Sequence, residues 1–156
     1  MIFTRPANVA DLDRLREIQA ASPEAPAWNP LDYDCLVAVV DPPGDGLATD
    51  RSSSPRAATK GSGFRIAGFL VSRSIVPGER EILNVAVDPA QRRRGIARTL
   101  IAAELARSQG VWFLEVRESN DAASALYRSM GFEKAGNRPA YYDDPAEAAI
   151  VMRFFS

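Results

Sequence analysis

The stretch QRRRGIART, residues 91–99, sets Arg92, Arg93 and Arg94 directly before Gly95, with Arg98 one helical turn further on. Guanidinium groups gathered around one point suit a multiply charged anion such as a diphosphate, because each can give two parallel hydrogen bonds to phosphate oxygens. If a helix starts at Gly95, its first turn adds amide N–H groups without intrahelical partners and the positive end of the helix dipole. Glycine also lets a ligand come close to the backbone. A charge run on a helix face is ordinarily solvated, but this one falls at a strand-to-helix turn and ends in glycine, which favours an anion site. The P-loop pattern Gly-x-x-x-x-Gly-Lys-Ser/Thr and the Gly-x-Gly-x-x-Gly fingerprint are both absent.

Two further residues could move protons. Glu115 lies in the apolar run VWFLEV, where desolvation favours the neutral acid and brings a carboxyl group nearer the range useful to a base. Tyr127 can donate a proton or a hydrogen bond. Plainer roles stand beside these: Glu115 can pair with Arg117 or Arg138, and Tyr127 can pack in the core beside Leu126. Glu81, at the start of the neighbouring strand, is a rival base. The chain has no histidine and one cysteine, Cys35, so Ser-His-Asp and Cys-His pairs, His-ligated zinc and cysteine clusters cannot be built. Cys35 sits in the run CLVAVV and reads as a buried strand thiol.

The elements that must position these groups follow from periodicity. With 156 residues, 46% hydrophobic and 25% charged, the chain fits one soluble domain over 1–156, and a net charge of -1 argues against a dedicated nucleic-acid binder. The start MIFTRPANVADLDRL lacks the pattern of a signal peptide and no apolar run approaches a membrane span, which predicts a cytoplasmic protein. Residues 2–5 read as an edge strand, followed by a helix capped by Asn8 with Val9, Leu12, Leu15 and Ile18 inward. A short helix from Asn29-Pro30 and a strand over 35–40 come next. The segment 41–63, rich in Pro, Gly and Ser, reads as a flexible insertion loop. FRIAGFLVSRSI and EILNVAV form a hairpin turning at Val76-Pro77-Gly78. A helix from Gly95 closes at Gly110, and VWFLEV is a covered strand. Ser119 or Asn120 caps a further helix with Ala122, Ala125, Leu126 and Met130 inward and Gly131 as its stop. Two last strands flank a Tyr-Tyr loop.

The segment Arg92-Arg93-Arg94-Gly95-Ile96-Ala97 fits the Gln/Arg-x-x-Gly-x-Gly/Ala motif of the GNAT-type N-acetyltransferases, with Ala97 in place of the commoner glycine. LEVRESNDAASALYRSMGF, residues 114–132, closely resembles the matching stretch of their RimI subgroup, which acetylates the N-terminal alanine of a small-subunit ribosomal protein. The likeness is nearly gapless from Glu81 to Phe132; the N-terminal third matches in layout only. It implies an α+β (α/β) fold: a mixed, mostly antiparallel central sheet whose fourth and fifth strands splay apart, flanked by helices. It implies acetyl-CoA as co-substrate and no metal. Val85, Ala86 and Val87 would bond the pantetheine arm through their backbone, and the loop from Arg92 through Arg93, Arg94, Gly95, Ile96 and Ala97 to Arg98 would hold the pyrophosphate. Asn120 would touch the cofactor, Glu115 would be the general base and Tyr127 the general acid. Glu81, Tyr141 and Tyr142 would lie near the acceptor, although the two tyrosines can equally be an aromatic loop plug. The acceptor implied is a protein N-terminus, with no nucleic acid or membrane partner and a monomer or weak dimer as the state. An α-amine with a pKa of about 8 is partly neutral near neutral pH, whereas lysine near ~10.4 is almost wholly protonated, so an N-terminal acceptor needs only a modest base. A GNAT acting on lysine or a small amine, and a CoA sensor without turnover, remain as alternatives.

Overall fold

The β-branched and aromatic runs all enter one sheet. A computed structural model describes residues 1–23, 29–30, 32–42, 63–143 and 145–156. Its strands are β1 (Ile2–Pro6), β2 (Asp34–Val40), β3 (Arg65–Val76), β4 (Glu79–Val87), β5 (Val111–Arg117), β6 (Glu133–Asp143) and β7 (Ala146–Phe155). The helices are α1 (Leu12–Ala20), α2 (Ile96–Leu105) and α3 (Asp121–Ser129). The sheet order is β1-β2-β3-β4-β5-β7-β6, antiparallel except for the β4–β5 pair. A parallel neighbour needs a crossover, and α2 supplies it.

Each face of the sheet has its own core. Leu15 and Ile18 of α1 pack with Val37, Phe69, Val71, Leu83 and Ala86 on one face. On the other face Ile96, Leu100 and Ile101 of α2 pack with Leu70, Ile82, Trp112, Leu114 and Met152, joined by Ala123, Leu126, Tyr127 and Met130 of α3. α2 is anchored by Glu104, whose buried carboxylate accepts from Ser72 Oγ at 2.6 Å and from Arg107 at 2.9 Å. A buried charge persists only when paired in this way.

The splay of the fourth and fifth strands is present, and its cause is local. β4 and β5 pair from Glu79 and Val111 to Ile82 and Leu114 and then separate. At that point Ser72 of β3 faces Ile82 while Val71 faces Asn84, so Leu83 is an extra residue in β4. Such a bulge bends the strand that carries it. It also turns Leu83 and Asn84 both toward α1, where Leu83 joins the core and Asn84 bonds Gln19.

Several expectations need correction. Asn8 does cap, its Oδ1 accepting from Ala10 N at 2.9 Å while Asp11 accepts from Asn8 N at 2.8 Å, but a 3-10 turn over Val9–Asp11 precedes α1. That turn leaves Val9 73% exposed rather than inward. At the expected helix from Asn29-Pro30 the described residues form a turn, with Asp32 N donating to Asn29 O at 3.2 Å. Most of the expected loop at 41–63 lies outside the described residues. α2 ends at Leu105, before Gly110; that glycine serves the sheet, since a Cβ on it would lie 2.2 Å from Gly78 O, to which Val111 N donates. On α3, Ala122 and Ala125 are exposed and Ala123 turns inward instead, while Leu126, Tyr127 and Met130 face inward as expected. Tyr141 and Tyr142 lie in β6 rather than in a loop.

Candidate active site

Where β4 and β5 part, a cleft of about 590 Å³ opens. Val85, Ala86 and Val87 bound it on one side and Leu114 to Arg117 on the other. β3 pairs with the outer edge of β4 there, so the edge facing the cleft keeps backbone groups that none of the described strands satisfies.

At one end of the cleft lies the arginine turn. Arg93 and Gly95 both adopt left-handed backbone, with φ of 66° and 79°. A non-glycine residue there is strained, and alternating handedness turns successive N–H groups to one side as an anion-binding concavity. Gly95 opens α2, and among the described residues no side chain caps that helix. A Cβ on Gly95 would meet nothing within 4 Å, so its φ and the open space before it, rather than packing, ask for glycine. Arg92 donates through Nε to Val87 O at 3.3 Å and reaches Ser22 Oγ at 3.4 Å, tying the turn to the end of β4. Arg98 donates to Ser129 Oγ of α3 at 2.7 Å. Arg92, Arg93, Gly95, Ile96, Ala97 and Arg98 line the cleft, whereas Arg94, which bonds Gln91, does not. Asp88 steadies the turn's entry by accepting from Ala90 N at 2.9 Å and by pairing with Arg14 of α1. That amide bond, assisted by Arg14, holds the Asp88 carboxyl below the usual carboxylate range.

At the other end lie the ionisable groups. Trp112, Leu114 and Val116 of β5 point to the α2 side, so Glu115 points to the α1 side, with its side chain 14% exposed. Arg138 of β6 donates to Glu115 Oε1. The neighbouring Glu115 carboxylate and burial push the Tyr141 phenol up to about 12. Arg138 stacks on the Tyr141 ring at 4.5 Å and Arg117 on the Tyr142 ring at 4.1 Å. Glu81 pairs with Arg73 at 2.7 Å, and neither Glu81 nor Tyr141 lines the cleft, while Tyr142 does. Tyr127 enters the cleft from α3, on the other side of the sheet, its ring 5.8 Å from that of Phe132. Burial, with Tyr142 nearby, pushes its phenol up to about 12. Asn120 lines the cleft and caps α3 through Oδ1, which accepts from Ala123 N at 3.2 Å.

The sequence reading missed Asn84, Asp88 and the pairing roles of Arg14 and Arg73. Asp-Pro ahead of the arginines was the one available sign of a capping aspartate; a bulge that redirects Asn84 leaves no such sign.

The model of the acetyltransferase (GNAT) family matches residues 12–132. The chain belongs to that family.

Among relatives of this GNAT chain, the N-alpha-acetyltransferase RimI of Mycobacterium tuberculosis is 40% identical over 108 residues, 69% of this chain and 68% of that one. The [ribosomal protein bS18]-alanine N-acetyltransferase of Escherichia coli K12 is 39% identical over 94 residues, 56% of this chain and 63% of that one. An uncharacterized Mycobacterium leprae protein is 47% identical over 78 residues, 49% of this chain but 22% of its own length, so the chain spans only part of the first relatives it matches. Among solved structures, the ribosomal-protein-S18-alanine N-acetyltransferase of Escherichia coli aligns with a TM-score of 0.70 at 27% identity, covering 99% of this chain and 94% of that one. Arabidopsis thaliana NAA60 in complex with acetyl-CoA aligns with a TM-score of 0.74 at 21% identity over 99% of this chain and 98% of that one, a likeness of fold. The GNAT match includes the arginine turn, Glu115, Asn120 and Tyr127 and ends before Arg138, Tyr141 and Tyr142.

Proposed function

We propose that this GNAT enzyme transfers the acetyl group of acetyl-CoA to the α-amine of a protein N-terminus, such as that of a ribosomal protein beginning with alanine. One observation carries the reading: a cleft opened by the splay of β4 and β5 has an anion-binding turn at one end and is entered by Glu115 and Tyr127 from opposite faces of the sheet. The names of the RimI-type relatives support the acceptor.

Arg92, Arg93, Arg98 and the uncapped first turn of α2 suit a diphosphate, with Arg94 adding charge from outside. The free edge of β4 at Val85, Ala86 and Val87 suits the amides of an extended pantetheine chain. Asn120, its Oδ1 engaged in capping, keeps its Nδ2 for a ligand oxygen.

Glu115 takes the proton that the amine loses, once the amine replaces Arg138 on the carboxylate. Tyr127, held protonated far above neutral pH, hydrogen-bonds the departing sulfur. A thiol titrates near ~8.5, so full transfer from a phenol at about 12 is uphill and the hydrogen bond is the larger service. Tyr141 and Tyr142, with Glu81 behind them, flank the acceptor's approach.

The test is inhibition by CoA joined through an acetyl group to the α-amine of an alanyl peptide, against the isomer joined through a lysine Nε. The α-linked compound should bind at least about tenfold more tightly, as a mimic of the productive geometry does. Tighter binding of the ε-linked isomer would assign the enzyme to lysine side chains.

A further inference from the structure

The sheet face that carries Glu115 is nearly neutral where it borders the cleft. Glu81 is paired with Arg73 at 2.7 Å, Glu115 with Arg138, and Glu147 with Arg117 at 3.4 Å. An acceptor arriving there finds each of these carboxylates already engaged.

Among the described residues that line the cleft, the buried side-chain atom without a partner is an uncharged one. Asn84 is 3% exposed and its Nδ2 donates to Gln19 Oε1 at 2.6 Å, while its Oδ1 is buried with no hydrogen-bond partner among the described residues. Buried carbonyl oxygens in native structures are nearly always satisfied, so an orphan on a residue that lines a cleft points to a donor supplied from the cleft.

The bulge explains why Asn84 is there. In an unbroken strand Asn84 would follow Ile82 toward α2 and its apolar core; the extra residue, Leu83, sends it to the face of Glu115 instead. Ile82 and Leu114 are the last pair before the strands part. Asn84 stands just beyond that pair on β4 and Glu115 just beyond it on β5, and both line the cleft. A neutral primary amine attacking a thioester points its lone pair at the carbonyl carbon and two N–H bonds away from it. Two acceptors on the two banks of the opening match two N–H bonds.

Building on the α-amine reading above, we propose that Asn84 Oδ1 is a substrate-binding group that accepts one N–H of the acceptor amine while Glu115 accepts the other, so that together they aim the lone pair. In the transfer itself the C–N bond forms and the C–S bond breaks. One amine proton passes to Glu115, and sulfur leaves with the hydrogen bond from Tyr127. Because Asn84 is neutral, it orients the amine without favouring its protonated, unreactive form.

The experiment is steady-state kinetics of the full chain with acetyl-CoA and a hexapeptide bearing a free N-terminal alanine and no lysine, for wild type, Asn84→Ala and Asn84→Asp. For Asn84→Ala, kcat/KM for the peptide should fall by about tenfold or more while the KM for acetyl-CoA stays within about twofold. Asn84→Asp keeps an oxygen in place, so peptide KM should be largely retained, but a second carboxylate stabilises the ammonium and the acid limb of the pH profile should move to higher pH. A purely structural asparagine would not move that limb, so Asn84→Asp decides the matter even if Asn84→Ala does not fold. Peptide kinetics and a pH profile of Asn84→Asp that superimpose on wild type would overturn the proposal. Equal losses for peptide and acetyl-CoA would also overturn it. A wild type silent on the peptide would instead remove the α-amine reading, and this proposal with it.

Discussion

Arg138 on β6 donates a hydrogen bond to Glu115 on β5, reaching across β7, where the residue level with Arg138 is the small Ala149. The guanidinium is itself steadied by the ring of Tyr141 at 4.5 Å. The Glu115 carboxylate therefore has a resident cation, and in its proposed role as base it takes an acceptor ammonium only in competition with Arg138.

Removing the competitor should ease acceptor binding. Arg138→Leu is expected to lower the KM for an alanyl peptide by about two- to fivefold with acetyl-CoA affinity unchanged, and to lower the melting temperature, since losing the exposed arginine leaves a largely buried Glu115 carboxylate without its partner. Peptide kinetics beside thermal melts check this, and a raised peptide KM would mean that Arg138 holds the acceptor itself.

The arginine turn makes a sharper prediction. Gly95 has open space before it and a φ of 79°, so Gly95→Ala should fold with a cost of about 1–2 kcal/mol from left-handed strain alone. Gly95→Glu adds bulk and negative charge at the proposed pyrophosphate site and should weaken acetyl-CoA binding by more than about a hundredfold. Calorimetric titration of the folded variant decides it; near-normal affinity would remove the anion site from this turn.

For Tyr127→Phe, kcat should drop by about ten- to a hundredfold with the KM for acetyl-CoA little changed, because the ring keeps its packing on Phe132. The phenol is raised from its ordinary value of 10.0 to about 12 in the fold. The stability tied to its protonated form is thus complete below pH 10 and lost as pH rises toward 12, and Tyr127→Phe should lose less stability over that window. Identical alkaline melting curves would contradict the burial that raises it.

The turn before α1 predicts the opposite dependence. Burial alone would raise the Asp11 carboxyl, but Arg5 at 2.7 Å and the Asn8 amide outweigh it and hold it below its ordinary value. A depressed carboxyl stabilises the fold above its unfolded value and loses that contribution as pH falls. Asp11→Asn should therefore cost about 1–3 kcal/mol at neutral pH, with the gap to wild type narrowing below about pH 4. A gap independent of pH would assign the loss to packing.

Much of this was legible in the sequence because local rules agree with the fold. Gly95 after the arginines, the Pro77-Gly78 turn and the alternation of VWFLEV state a turn, a hairpin and a covered strand without help from distant residues. What was not legible depends on pairing at long range. The bulge at Leu83 exists only against β3, and it alone decides which way Asn84 faces. The arginine that Glu115 pairs with was open between Arg117 and Arg138, since the choice depends on β7 lying between β5 and β6. On α3 the spacing showed Leu126, Tyr127 and Met130 inward but misplaced Ala122 and Ala125, which are small enough to sit on either face.

The most direct measurement is acetyl transfer from acetyl-CoA, followed by CoA thiol release and mass detection of product, to two matched peptides. One has a free N-terminal alanine and no lysine; the other is blocked at its N-terminus and carries a single lysine. The account predicts one acetyl group on the first peptide and none on the second. Acetylation of the second alone would keep the fold and the cofactor cleft but contradict the α-amine acceptor.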